Sequence, residues 1–424
     1  MSFLDYKFNI TNEERDYIRE LAKKYLEYAN LPVMEERTKL WYAHNELKSQ
    51  RPVIIMEMET FKEDMLKSIK CTTPEAIEIE RNLLEHIINF ELINDDKVIS
   101  PYYSVYWKIS IKEFGLESHK EYASDTEGRN IGFAQEHVIS DLKEDFGILK
   151  PSIYNVDREY TLAWKEFIES VIGDIMPVKI KNNSLDWHTA PSMKVVELMG
   201  LEKMMYAMMD YPQEMHKLYD FIMRDMVKYI KWQENEGLLT LNNGNDYAGS
   251  GSYGFAHELP TENYKKTGKV QSIDRWGNMN SQESVGISPD MYKEFIYPYY
   301  YNLAKEFGLV YYGCCEPVHD IWEDCVSKIP NLRKVSISPW CDENIMGEYL
   351  KGNNVIYSRK PSPNFIGVGD FDELAFTEHI TKTLKAAKGC TVEFSFRDIY
   401  TLNGDIGKPG KAVKIVRNLI EKHW

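Results

Sequence analysis

Two thiols and a carboxylate stand at successive positions in Tyr312-Gly313-Cys314-Cys315-Glu316-Pro317, which ends the apolar run Leu309-Val310-Tyr311-Tyr312. Residues two apart on a strand face the same way, so Tyr312, Cys314 and Glu316 are expected to converge on one side. Zinc accepts both sulfur and oxygen, which makes Cys314, Cys315 and Glu316 candidate ligands. Cys314 and Cys315 point oppositely unless the strand ends between them, so only one is expected to ligate and no vicinal disulfide is expected. Against a metal, a buried free cysteine is ordinarily a small hydrophobe, and Cys-Cys lacks the spacing of an established zinc motif.

In Val392-Glu393-Phe394-Ser395-Phe396-Arg397, the residues Glu393, Ser395 and Arg397 share a strand face. A polar row there is costly unless partnered. Either Glu393 and Arg397 pair with each other, or they serve a site, Glu393 as a metal ligand and Arg397 as a catalytic group. Arg359-Lys360 ends another apolar run and can clamp an anion, Arg359 in bidentate fashion, or form a solvated pair. Glu57 and Glu59 end the first apolar run, Asp186 and His188 follow the third, and Gln282 and Glu283 follow Trp276-Gly277. Glu57 and Glu283 suit acid–base work. Asn242, His257, Gln282, Tyr312, Trp340 and Arg359 are the candidate substrate contacts. No phosphate-binding glycine loop, dinucleotide fingerprint or nucleophile elbow is present.

The elements that must position these groups alternate. Strands are predicted at 53–58, 102–107, 178–180, 238–241, 309–312, 335–338, 355–357 and 392–396. Helices intervene at 317–328, at 344–350 and after a capping box at Asp370 and Glu373. Eight strands alternating with helices predict an α/β fold, a (β/α)8 TIM barrel, with a doubly wound open sheet as the alternative. Residues 1–50 read as a helical extension, opened by a capping box at Thr11 and Glu14, and residues 51–424 as the barrel. Insertions are expected near 110–164 and 244–286. The second carries Gly249-Ser250-Gly251-Ser252-Tyr253-Gly254 and His257 at a strand's carboxyl end, where barrels place their sites. Met215, Leu218, Ile222, Met226 and Tyr229 form a helical stripe that reads as core.

Composition excludes several classes. The 424 residues carry a formal charge of -15 with 43% hydrophobic content, and no basic face offers itself to nucleic acid. No apolar run reaches membrane-spanning length and no export pattern opens the chain, so a cytoplasmic protein with six reduced cysteines is expected. Self-association and core packing explain the aromatic and Met-rich helices equally well.

From Arg51 onward the chain resembles the superfamily of uroporphyrinogen decarboxylase and the cobamide-dependent methyltransferases. The likeness rests on segment order and on local matches: Arg51-Pro52-Val53, Gly200-Leu201-Glu202, Tyr211-Pro212-Gln213-Glu214-Met215-His216 and Ser288-Pro289-Asp290-Met291-Tyr292-Lys293-Glu294-Phe295. Tyr312-Gly313-Cys314 falls where the zinc methyltransferases carry His-x-Cys, and Glu393 lies near their later cysteine ligand. Met56-Glu57-Met58-Glu59-Thr60-Phe61 lacks the decarboxylase's arginines, which disfavours a porphyrinogen substrate. The resemblance implies a TIM barrel, zinc, and methyl transfer between a small molecule and a partner corrinoid protein. The alternatives are a metal-independent decarboxylase or lyase on a small acid, and a non-catalytic barrel that binds a corrinoid module.

Overall fold

The computed structural model describes residues 6–117, 120–124, 130–182, 185 and 188–424; Asp186 lies outside the described residues. Two helices lead, α1 (Asn12–Ala29) and α2 (Pro32–Asn45). The expected capping box is present: the Thr11 hydroxyl accepts from the Glu14 amide, and the Glu14 carboxylate accepts from the Thr11 amide. The same Glu14 carboxylate also accepts from the amides of Thr72 and Thr73, tying the helix start to a distant loop.

Strands β1 (Val53–Met56), β2 (Tyr103–Tyr106) and β3 (Val178–Lys181) follow, as the apolar runs foretold. Next come the 25-residue helix α3 (Pro212–Glu236) and a short hairpin of β4 (Tyr247–Gly249) and β5 (Ser252–Tyr253). The last part holds β6 (Trp276–Met279), β7 (Leu309–Tyr312), β8 (Leu332–Ile337), β9 (Ile356–Arg359) and β10 (Val392–Phe396). The helices Glu343–Leu350 and Glu373–Ala386 connect the last three strands. Six strands form one parallel sheet in the order β1-β10-β9-β8-β7-β6, while β2 and β3 make a separate parallel pair. The fold is therefore α/β with a parallel sheet. The long segment before residue 164 is built from antiparallel pairs, Lys108–Lys112 with Ile153–Asp157 and Lys120–Ser124 with Asn130–Gln135.

Four sequence expectations need correcting. Residues 238–241 form no strand, because side chains take up their backbone groups: Asn182 Nδ2 donates to the Leu238 carbonyl at 3.0 Å and Arg275 Nη1 to the Thr240 carbonyl at 2.8 Å. Conversely Trp276–Met279, expected inside an insertion, is a full strand of the main sheet. Residues 317–328 make only two 3-10 turns, His319–Ile321 and Val326–Lys328. The helix after β9 is capped by Asp372, whose carboxylate accepts from the Ala375 amide, and not by Asp370.

Pleating divides the sheet into two faces, with Val53 and Ile55 of β1 and Trp276 and Leu309 of β6 and β7 packing in smaller apolar clusters beside the polar row. Ile54, Met56, Val310, Tyr312, Val335, Ile337, Tyr357, Phe394 and Phe396 face the helix layer and its large apolar core. That core includes the stripe Met215, Leu218, Ile222, Met226 and Tyr229 of α3. The opposite face is polar: Lys334, Ser336, Ser358, Lys360, Glu393 and Ser395 are all buried there. Burying so many polar groups on one face is tolerable only if they satisfy one another.

Candidate functional site

On the polar face, Glu393 anchors the deeper layer. Its carboxylate accepts from Lys334 Nζ at 3.0 Å, His44 Nε2 at 3.0 Å, Ser252 Oγ at 2.9 Å and Ser358 Oγ at 2.6 Å. Burial pushes this carboxyl up, but Lys334 and the bond from His44 outweigh it and hold Glu393 well below the usual range. Burial lowers His44, so the imidazole is neutral and donates through Nε2. Glu393 thus pairs with Lys334 and not with Arg397.

Nearer the carboxyl ends, Lys360 Nζ donates to the hydroxyls of Tyr311 and Ser358, the latter at 3.0 Å. Burial, with the charge of Arg397 adding, lowers this amine to about 7. At the rim itself, Arg397 Nε lies 3.3 Å from Glu57 Oε2 and 3.5 Å from Asp398 Oδ2. Burial opposes the Arg397 charge, yet Glu57 and Tyr247 hold the guanidinium firmly protonated. Tyr247 Oη donates to Glu57 Oε1 at 2.9 Å and accepts from the Gly251 amide. Cys314 Sγ and Cys315 Sγ stand 3.6 Å apart, with Cys315 Sγ 3.9 Å from Asp398 Oδ2. The hydrogen bond from Cys314 lowers Cys315, whereas the same bond and burial raise Cys314, so Cys315 ionises first. Gly313, with φ of 99°, breaks the strand register between β7 and the thiols.

The glycine-rich hairpin lies against this face. Ser250 Oγ donates to the Gly313 carbonyl at 2.7 Å, and Ser395 Oγ donates to the Ser250 carbonyl at 3.1 Å. A Cβ on Gly251, which has φ of +82°, would meet Ser395 Oγ at 2.2 Å, and one on Gly249 would meet the Asn278 side chain at 2.1 Å. Glycine is required because the loop backbone touches the sheet's side chains directly.

The structure brings Glu57, Arg397, Cys314 and Cys315 together and disperses the other candidates. Glu316 turns from the thiols to accept from the amides of Ser281 and Cys314 at 2.7 and 2.9 Å. Among the described residues no three His, Cys, Asp or Glu side chains gather to hold an ion. With Glu393 committed to Lys334 and Glu316 to backbone amides, Cys314, Cys315, Glu316 and Glu393 do not make a zinc ligand set. Tyr312 points into the helix layer, where its hydroxyl meets Ser281 and Tyr292. Arg359 points there too, bonding Glu343 at 3.0 Å and the carbonyls of Ile337 and Ser338, so it is no anion clamp. Asn242 is spent on both backbone groups of Trp276. His257 stacks on Tyr42 at the surface and pairs with Glu46. Trp340 and Gln282 are exposed. His188 is half-buried against Tyr229, and desolvation pushes it down to about 3. Glu283 faces the helix layer; burial, with Glu316 adding, raises its carboxyl to about 7.

Sequence reasoning missed Lys334, Asp398, Tyr247, Tyr311 and His44. Lys334 and Tyr311 were legible in principle, since period-two alternation places both on the polar face.

No protein-family model matches the chain, and no curated protein matches it in sequence. Among solved structures it is similar to a methyltransferase from Methanosarcina mazei, with 11% identity over 89% of this chain and 98% of that chain and a TM-score of 0.49. No helix among the described residues is long and apolar enough to cross a membrane.

Proposed function

We propose that the chain is a cytoplasmic enzyme that moves a methyl group from a small methylated onium compound, an ammonium or sulfonium, to a corrinoid carried by a partner protein. In this reading the parallel sheet is the wall of an eight-fold β/α barrel, and the reaction takes place at its carboxyl rim. One observation carries the proposal: at that rim two carboxylates, Glu57 and Asp398, flank the single guanidinium of Arg397, with the thiol of Cys315 beside Asp398.

An excess of negative groups in a partly buried site favours a cationic substrate. Tyr400 stands within electrostatic reach of Asp398 and Cys315, and Tyr247 is bonded to Glu57. Aromatic rings beside anions are a common device for holding quaternary cations. Chemistry agrees with the charge. When methyl leaves an onium centre the leaving group is a neutral amine or thioether, so no proton must be delivered to it. The site's residues then only bind and orient: Asp398 and Cys315 hold the onium, and Arg397, itself fixed by Glu57, takes any carboxylate the substrate carries. The similarity of segment order noted above supports a corrinoid as acceptor.

The test uses free cob(I)alamin as acceptor and follows methylcobalamin formation by absorbance. Trimethylammonium and dimethylsulfonium carboxylates should turn over, while neutral methyl ethers should not. Turnover of ethers with no turnover of any onium would overturn the proposal.

A further inference from the structure

Lys360 takes no part in the chemistry above, and its surroundings are those of a reactive amine. It is buried, 4% exposed, at the end of β9. The only described hydrogen-bond partners of its Nζ are hydroxyls, those of Tyr311 and Ser358, and no carboxylate stands within ion-pair distance of it among the described residues. Lys334, on the same face, is by contrast paired with Glu393 at 3.0 Å. The charged and titratable groups acting on Lys360 are Glu393, Arg397, Cys314 and Glu57, together with the bonded Tyr311.

We infer that Lys360 is a nucleophile that condenses with a small neutral aldehyde to form an imine under the rim. The Nζ lone pair attacks the carbonyl carbon, the carbonyl oxygen takes up a proton, and the carbinolamine then loses water as the C=N bond forms. Both hydrogens of that water come from the amine, so no oxidant or other reactant is needed. Tyr311, bonded to Nζ, is placed to relay the proton to the departing oxygen. Amines with no countercharge, in dry sites and near other cations, are the ones that react this way. The lowering of Lys360 to about 7 agrees, because about half of it is then neutral at pH 7, against roughly one in 2,500 for an ordinary lysine.

The experiment treats the full chain at pH 7 with acetaldehyde and cyanoborohydride and maps N-ethylation by mass spectrometry of peptides. Lys360 should be labelled at least a hundredfold faster than surface lysines, and Tyr311→Phe should slow that labelling tenfold or more while the fold, checked by circular dichroism, is kept. Labelling spread evenly over surface lysines, with Lys360 untouched in the folded protein, would overturn the inference. The outcome is independent of methyl transfer: labelled Lys360 in a protein that makes no methylcobalamin keeps this inference and removes the other.

Discussion

Two carboxylates, Glu393 buried and Glu283 half-buried, show how differently this chain treats its charges. Glu393 receives four hydrogen bonds, two of them from Lys334 and His44, whereas Glu283 Oε2 is buried without a partner among the described residues. Removing one partner from a buried ion pair leaves an uncompensated charge, which costs about 3–5 kcal/mol. Glu393→Leu should therefore lower the unfolding free energy, measured by denaturant titration, by that amount, and adding Lys334→Met should recover most of it. If the double variant is no better than the single one, the pair is not what holds the polar face together. Glu283 behaves oppositely. Its folded value, about 7, lies above that of an unfolded carboxyl, so its contribution to stability is present at low pH and is lost as pH rises through 7. Wild-type melting temperature should fall between pH 5 and 8 by more than that of Glu283→Gln. At this scale the sequence revealed that Glu57, Arg397 and the thiols are polar groups at strand ends, but not their partners. Glu393 and Arg397 sit four apart on one face, yet neighbours from β8 and α2 claim Glu393 and the end of β1 claims Arg397. Those partners come from across the sheet, and one strand's spacing cannot show them.

The hairpin Tyr247–Tyr253 is the element that turns a polar sheet face into a confined site. Gly251→Ala would place a methyl group 2.2 Å from Ser395 Oγ at a positive φ, so the loop must lift. We expect a loss of methyl transfer of tenfold or more with the far-ultraviolet dichroism unchanged; full activity would show that the hairpin's seat on β10 is irrelevant to the site. The hairpin was foreseeable as a glycine-rich loop at the rim, because short polar residues between apolar runs mark loops. Trp276–Met279 was not. It contains Gly277 and Asn278, both poor strand formers, and it is a strand because Gly277 lets β6 lie against the Phe307 ring, which a Cβ would meet at 2.4 Å. The error at 238–241 has the reverse cause: an apolar, strand-like run whose backbone is bonded by Asn182 and Arg275 side chains.

Across the whole molecule, the leading helices and the parallel sheet share one interior. Trp41 Nε1 donates to the Asp96 carbonyl, His44 reaches Glu393, and Asn45 Nδ2 donates to the carbonyls of Tyr253 and Phe255. Sequence periodicity marked residues 1–50 as a helical extension without showing that α2 supplies part of the sheet's polar core. A chain starting at residue 51 should thus fail to give a cooperative thermal transition, whereas an independent extension would leave that transition intact. The alternation of strands and helices was legible because each strand's apolar face must meet a helix. The polar face was legible too, from the period-two polar rows of β8, β9 and β10, but the groups that α2 and the hairpin bring onto it were not. The central claim, that reaction occurs on the polar face at the rim, is tested most directly by the rate of methylcobalamin formation from a trimethylammonium carboxylate in two variants. Asp398→Asn, on the rim, should lose at least tenfold in kcat/KM, while Glu283→Gln, on the helix side, should stay within twofold of wild type. The reverse pattern would contradict the account.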